Sequence, residues 1–206
     1  MKKILTTLAF IIFTTSAFSA GKVGFKVGFG ELDADKKSYT AGSTTYAAQS
    51  VQEQSGIAAI FAEVDISPVP GLSLGVEYIP LEAEISLERK EGDTSTTVDN
   101  AGTIYAMLKA PFGVFLKAGY FQADIGTVRN PNTTTLSNQS DKLKGPMLGI
   151  GYETPELSNG ITLRAEATRV DLDEVSITTT SNGSTSVKKK ADGEITQVGF
   201  SVVKSF

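Results

Sequence analysis

Through most of the chain after residue 20, hydrophobic and polar positions alternate with a period of two, the pattern of strands that have one apolar face. In KVGFKVGFG, Val23, Phe25, Val27 and Phe29 point one way and Gly24, Lys26, Gly28 and Gly30 the other. The segment from Ala58 to Ile66 repeats this, with Ala58, Ile60, Ala62, Val64 and Ile66 opposed to Phe61, Glu63 and Asp65. A third sets Leu72, Leu74, Val76 and Tyr78 against Ser73, Gly75 and Glu77, and a fourth sets Ile104, Ala106 and Leu108 against Lys109. The fifth opposes Val114, Leu116, Ala118 and Tyr120 to Lys117 and Gly119, and the sixth Leu148, Ile150 and Tyr152 to Gly149 and Gly151. Ile161, Leu163, Ala165 and Ala167 face away from Arg164 and Glu166 in the seventh. The last, with Val198, Phe200, Val202 and Phe206 against Gln197, Gly199, Ser201 and Ser205, brings the number of expected strands to eight.

The connections alternate in length. PVPG (Pro68 to Gly71), APFG (Ala110 to Gly113) and TPELSNG (Thr154 to Gly160) are short turns marked by Pro and Gly. Between them lie long polar stretches, roughly 33–54, 88–100, 128–142 and 176–192, rich in Ser, Thr, Asn, Asp and Lys. Short turns on one side and long loops on the other describe one antiparallel domain built from four hairpins. The apolar set changes phase twice, from Tyr78 to Ile79 and from Ala167 to Val170 and Leu172. Bulges near Pro80 and Arg169, on strands that continue above a membrane, are expected there.

The first residues follow another rule. Lys2 and Lys3, the apolar run Ile4 to Phe13, and the small residues Ala17 and Ser19 have the layout of a secretory signal peptide, 1–19, cleaved after Ser19 or Ala20. The expected mature domain is 20–206. Without the two leader lysines it carries 17 basic and 23 acidic residues, a net charge of 17 − 23 = −6, which excludes a nucleic-acid footprint. The chain contains no cysteine, so no disulfide scaffold holds it together, and no histidine.

Eight antiparallel strands close either as a soluble lipocalin-like barrel, apolar inside, or as an outer-membrane barrel, apolar outside with a filled polar lumen. The minority face decides, because Gly24, Gly28, Gly75, Gly119, Gly149, Gly151 and Gly199 suit a crowded lumen and would only weaken a solvated face. The expected fold is a closed eight-stranded, antiparallel, up-and-down transmembrane β-barrel with short periplasmic turns and long extracellular loops. Strand number, loop alternation and Phe206 together resemble the small bacterial outer-membrane barrels, the OmpA transmembrane domain, OmpX and opacity-like family. The resemblance implies that Val198, Phe200, Val202 and Phe206 form an assembly signal read by the barrel assembly machinery, a pattern from which Lys204 departs.

Charges on the lumen face, Lys26, Lys109, Lys117 and Arg164 against Glu63, Asp65, Glu77 and Glu166, balance four to four and are expected to pair. They either fill the barrel or gate small ions. Lys188, Lys189 and Lys190 are candidates for lipopolysaccharide phosphates. Catalytic, cofactor and metal residues are not expected: the known barrel enzymes of this kind use histidine, which this chain lacks. Expected partners are outer-membrane lipid and lipopolysaccharide, with no nucleic acid and a monomeric state. The expected role is structural or one of surface interaction. A narrow porin-like channel is the alternative, and a secreted lipocalin-like carrier the weaker one.

Overall fold

The computed structural model describes residues 18–41, 43–66, 69–80, 83–87, 94–125, 142–157, 159–181 and 185–206. Most of the expected signal peptide, and parts of the second and third long connections, lie outside them. The strands are β1 (Phe18–Lys36), β2 (Tyr39–Ala41), β3 (Thr44–Tyr46), β4 (Gln49–Ile66), β5 (Leu72–Ile79), β6 (Ala83–Leu87), β7 (Thr94–Lys109), β8 (Val114–Ile125), β9 (Lys142–Glu153), β10 (Ile161–Ser181) and β11 (Thr185–Ser205). β5 and β6 both pair with β7 and are two lengths of one wall strand. β2 and β3 form a small hairpin in the first long connection. The remaining strands follow one another around the wall, and β11 returns to β1, with Lys22 opposite Ser205 and Lys36 opposite Ala191. The result is a closed eight-stranded antiparallel barrel without a free edge at the level of that seam.

Around its middle the barrel is apolar outside. Phe25, Phe29, Ile104, Leu116, Leu148, Ile150, Phe200 and Val202 are all exposed there, and nothing but lipid suits such a belt. Inside, three glycines lie opposite aromatic rings on neighbouring strands: Gly24 faces Phe61, Gly75 faces Tyr105 and Gly151 faces Phe115. In each case a Cβ would run into the ring. These glycines therefore make room for the large side chains that fill the lumen.

Toward the end that carries the long connections, the two faces exchange chemistry. On the inner side Ala101, Phe121, Ala123, Met147 and Val170 are buried, with Ile79, Val98, Leu143, Leu172 and Ile195 packed around them. On the outer side the residues flanking Val170 are charged, and Arg169 pairs with Asp171 at 3.0 Å and with Glu194 at 2.5 Å. Gln52 and Gln54 donate to Glu31 on the same face. A wall that leaves lipid for water must turn polar outside, and its interior then closes as an ordinary apolar core.

This exchange corrects the expectation of a bulge near Arg169. The ladder runs unbroken through Arg169 opposite Thr196 and Val170 opposite Ile195, and its register shifts only between Leu172 and Val175. The phase change is a change of environment across a regular strand. Near Pro80, β5 ends at Ile79 and β6 starts at Ala83, and the register against β7 shifts by one residue between them, Ile79 lying opposite Ala101 and Ala83 opposite Val98, in keeping with the bulge expected there. A second irregularity lies on β7, whose register with β8 shifts between Asp99 and Gly102 and where Asn100 takes a φ of 52°. The first and fourth long connections also contain more strand than expected. A membrane crossing needs about 9–11 residues, whereas β1, β4, β10 and β11 have 19, 18, 21 and 21. These four are neighbours in the wall and continue together beyond the apolar belt.

Candidate functional site

Among the described residues, the lumen below the apolar layer holds ten charged side chains. Alternation fixes which residues point inward, and all eight expected from the sequence do so, arranged in three groups. The most buried group centres on Arg164 of β10. Its guanidinium forms a two-pronged contact with Glu63 at 2.6 and 2.8 Å and reaches Glu153 at 2.6 Å. The rings of Phe61 and Phe115 lie 5.0 and 5.2 Å from the guanidinium carbon. The Tyr105 hydroxyl donates to Glu63 at 2.8 Å, and Lys109 contacts Glu153 at 2.5 Å near the turn end. A planar fork between two aromatic faces, with both carboxylates satisfied, is the geometry that favours Arg over Lys.

The second group is a square of four. Lys26 contacts Glu77 at 2.5 Å and Glu166 at 3.1 Å, and Lys117 contacts both carboxylates at 3.3 Å. Lys117 also stands 3.9 Å above the Tyr105 ring, which links the square to the Arg164 group. Gly199 gives the Lys26 stem its path, since a Cβ there would press on it at 3.1 Å. The third group, at the turn end, is Lys22 with Asp65 at 3.2 Å, to which Ser73 also donates at 2.7 Å.

Two members were not expected: Lys22 and Glu153. Both continue an alternation already recognised, Lys22 before Gly24 and Lys26, and Glu153 after Gly149 and Gly151. Assigning a face to Lys22, the first residue of KVGFKVGFG, and extending the sixth strand by one residue to Glu153 would have found them. With them the lumen balances at five against five. The crevice bounded by Lys26, Gly28, Ile57, Glu166, Thr168, Gln197 and Gly199 has no room for a water molecule.

The other expected residues lie elsewhere. Val198, Phe200, Val202 and Phe206 are all exposed on the outer face. The Lys204 ammonium donates to the Asn159 carbonyl and stands 5.7 Å from the Phe206 ring. The backbone of Lys188 and Lys189 pairs with Thr178 and Ile177, while their side chains lie outside the described residues. Lys190 contacts Glu174 at 2.6 Å, and Lys37 contacts Glu174 at 3.0 Å and Asp192 at 2.9 Å. Hydrogen bonds from Lys190 and Lys37 lower the Glu174 carboxyl to about 2. The pairs that Glu174 makes with Lys190 and Lys37 are therefore present above the ordinary carboxyl range and are lost as pH falls toward that value. Among the described residues no group of His, Cys, Asp and Glu is arranged to hold a metal ion.

No family model matches the chain, and no curated protein matches it in sequence. Solved structures do resemble it. The outer membrane protein OprG from Pseudomonas aeruginosa superimposes with a TM-score of 0.59 at 13% identity, over 91% of this chain and 97% of that one. The outer membrane protein AlkL, determined in lipid bilayers, gives 0.54 at 11% identity over 94% and 93%. The chain has the fold of the small bacterial outer-membrane β-barrels.

Proposed function

We propose that the protein is an integral outer-membrane barrel with a closed lumen, a non-enzymatic component of the envelope. Its role is structural or one of surface interaction, carried by the wall and loops that stand outside the membrane. The observation that supports this is the two-layer filling of the lumen, paired charges toward the turns and a packed apolar layer toward the loops. An ion entering from the loop side would have to shed its water against Phe121, Met147 and Val170, which is costly without a polar substitute. Planar-bilayer recording tests the proposal. No discrete conductance is expected from the wild-type protein, and regular single-channel steps would overturn it.

One observation favours the second reading, a narrow channel. Each ammonium of the Lys26 and Lys117 square touches both Glu77 and Glu166, so pairs can exchange without stranding a charge. Discrete steps in Lys117→Ala alone would support a gate of this kind, and silence in both proteins would remove it. Contact of Lys188, Lys189 and Lys190 with lipopolysaccharide phosphates is proposed at the loop end, where Lys190 would have to leave Glu174. Loss of lipid A retention in the triple alanine variant is the expected result; unchanged retention would refute the contact. Insertion by the barrel assembly machinery through Phe206 and the apolar residues before it, and a monomeric state, belong to the same reading.

A further inference from the structure

Where β11 ends, three consecutive residues hold two separate parts of the chain, the turn between β9 and β10 and the start of β1. The backbone N–H of Ser205 donates to the Gly160 carbonyl at 2.8 Å, and that of Phe206 donates to the Gly21 carbonyl at 2.9 Å. The ammonium of Lys204 donates to the Asn159 carbonyl. Asn159 and Gly160 have φ values of 51° and 74°, the left-handed pair of a tight turn, and this conformation presents both carbonyls to β11. A Cβ on Gly160 would lie 2.9 Å from the Lys204 ammonium, so the side chain lies folded over the turn. Glu156 fixes the turn from its other side by accepting from the Gly160 N–H at 2.7 Å.

The Phe206 bond lies on the β1–β11 seam, while the Ser205 and Lys204 bonds hold the same strand end to the turn before β10, on its other edge, and so keep it from fraying. The other wall pairs join strands that follow one another along the chain and can zip locally, whereas β1 and β11 meet across nearly its whole length. A pairing with such a long closing loop forms late and carries the largest entropic cost. Its turn-side end is where a closed barrel begins to part, and that is where residues 204–206 lie. A hydrophobic residue at 204 would suit the lipid-facing pattern of Val198, Phe200 and Val202 better, yet it could not donate to the turn.

We propose that Lys204 is a latch. Its ammonium ties the β9–β10 turn to the end of β11 and, with the Phe206 backbone bond to Gly21, slows opening of the β1–β11 seam after the barrel has closed. The latch acts on opening and not on insertion, because the turn must already be folded before Lys204 has a carbonyl to reach.

The test uses the full-length mature protein refolded from urea into phosphatidylcholine vesicles, with only the inserted fraction followed. Opening is read as the rate at which the compact, fast-migrating form is lost on detergent gels at raised temperature. Lys204→Met, which keeps the apolar stem and loses the donor, is expected to open roughly five- to tenfold faster than wild type. Its insertion rate should be no slower. Lys204→Arg, which can still donate to the turn, should open at close to the wild-type rate. Wild-type opening of Lys204→Met, or equally fast opening of Lys204→Arg and Lys204→Met, would overturn the latch.

Discussion

Replacing Arg164 with methionine is expected to destabilise the barrel by about 3–5 kcal/mol, the cost of breaking a buried ion pair from one side. The Arg164 and Glu63 side chains are both 0% exposed and Glu153 is 2% exposed. Methionine fills much of the space between the Phe61 and Phe115 rings, so the loss is electrostatic and not that of a cavity. Glu63 would keep only the Tyr105 hydroxyl and Glu153 only Lys109. Urea unfolding in vesicles, followed by circular dichroism because the chain has no tryptophan, measures the effect. Adding Glu63→Gln should recover part of the loss, since one stranded charge is then removed. An unchanged unfolding midpoint in Arg164→Met would mean that the guanidinium does not hold the lumen together.

The second large effect is expected at Gly75. A valine there would drive its side chain into the Tyr105 ring, and overpacking of this kind costs about 1–3 kcal/mol. Tyr105 is also the residue that joins the two main charge groups, by its hydroxyl to Glu63 and by its ring face to Lys117. Displacing it forfeits a hydrogen bond to a charged group, worth about 1.5–3 kcal/mol more. Gly75→Val should thus unfold at clearly lower urea, and Gly75→Val with Tyr105→Ala should be less damaged than the sum of the two single changes. Strict additivity would show that ring and glycine do not share one space.

Period-two alternation made the belt legible, because in a membrane crossing the outward positions are apolar, while the inward ones here are small, charged or among the large side chains that fill the lumen. Val23 to Phe29 and Leu148 to Tyr152 could hardly be read otherwise. The lumen residues followed from the same rule; Glu153 was missed because the sixth strand was stopped one residue early, and Lys22 because the first residue of KVGFKVGFG was assigned to neither face. The upper wall was less legible for a physical reason. Once outside lipid, β1 carries Glu31, Asp33 and Asp35 on its outer face and β11 carries Asp192 and Glu194, so strand residues there look like loop residues. The inward move of Val170 and Leu172 resembled a bulge, because a sequence shows a change of phase without showing which solvent lies on either side. The contacts of Lys204 with a carbonyl in another hairpin, and of Lys190 with Glu174, depend on the closed ring and leave no trace in local pattern.

The central claim is that the two faces of the wall exchange environments between Ala167 and Val170, and one measurement addresses it directly. The chain contains no cysteine, so single cysteines placed in turn at 163, 165, 167, 169, 170 and 171 of β10 can each carry a nitroxide label in vesicles. Collision with oxygen reports lipid, and collision with a water-soluble nickel complex reports solvent. Labels at 163, 165 and 167 should be accessible to oxygen and shielded from nickel, those at 169 and 171 accessible to nickel, and that at 170 shielded from both. Nickel access at 165 and 167 equal to that at 169 and 171 would contradict the account and make the barrel a water-soluble one.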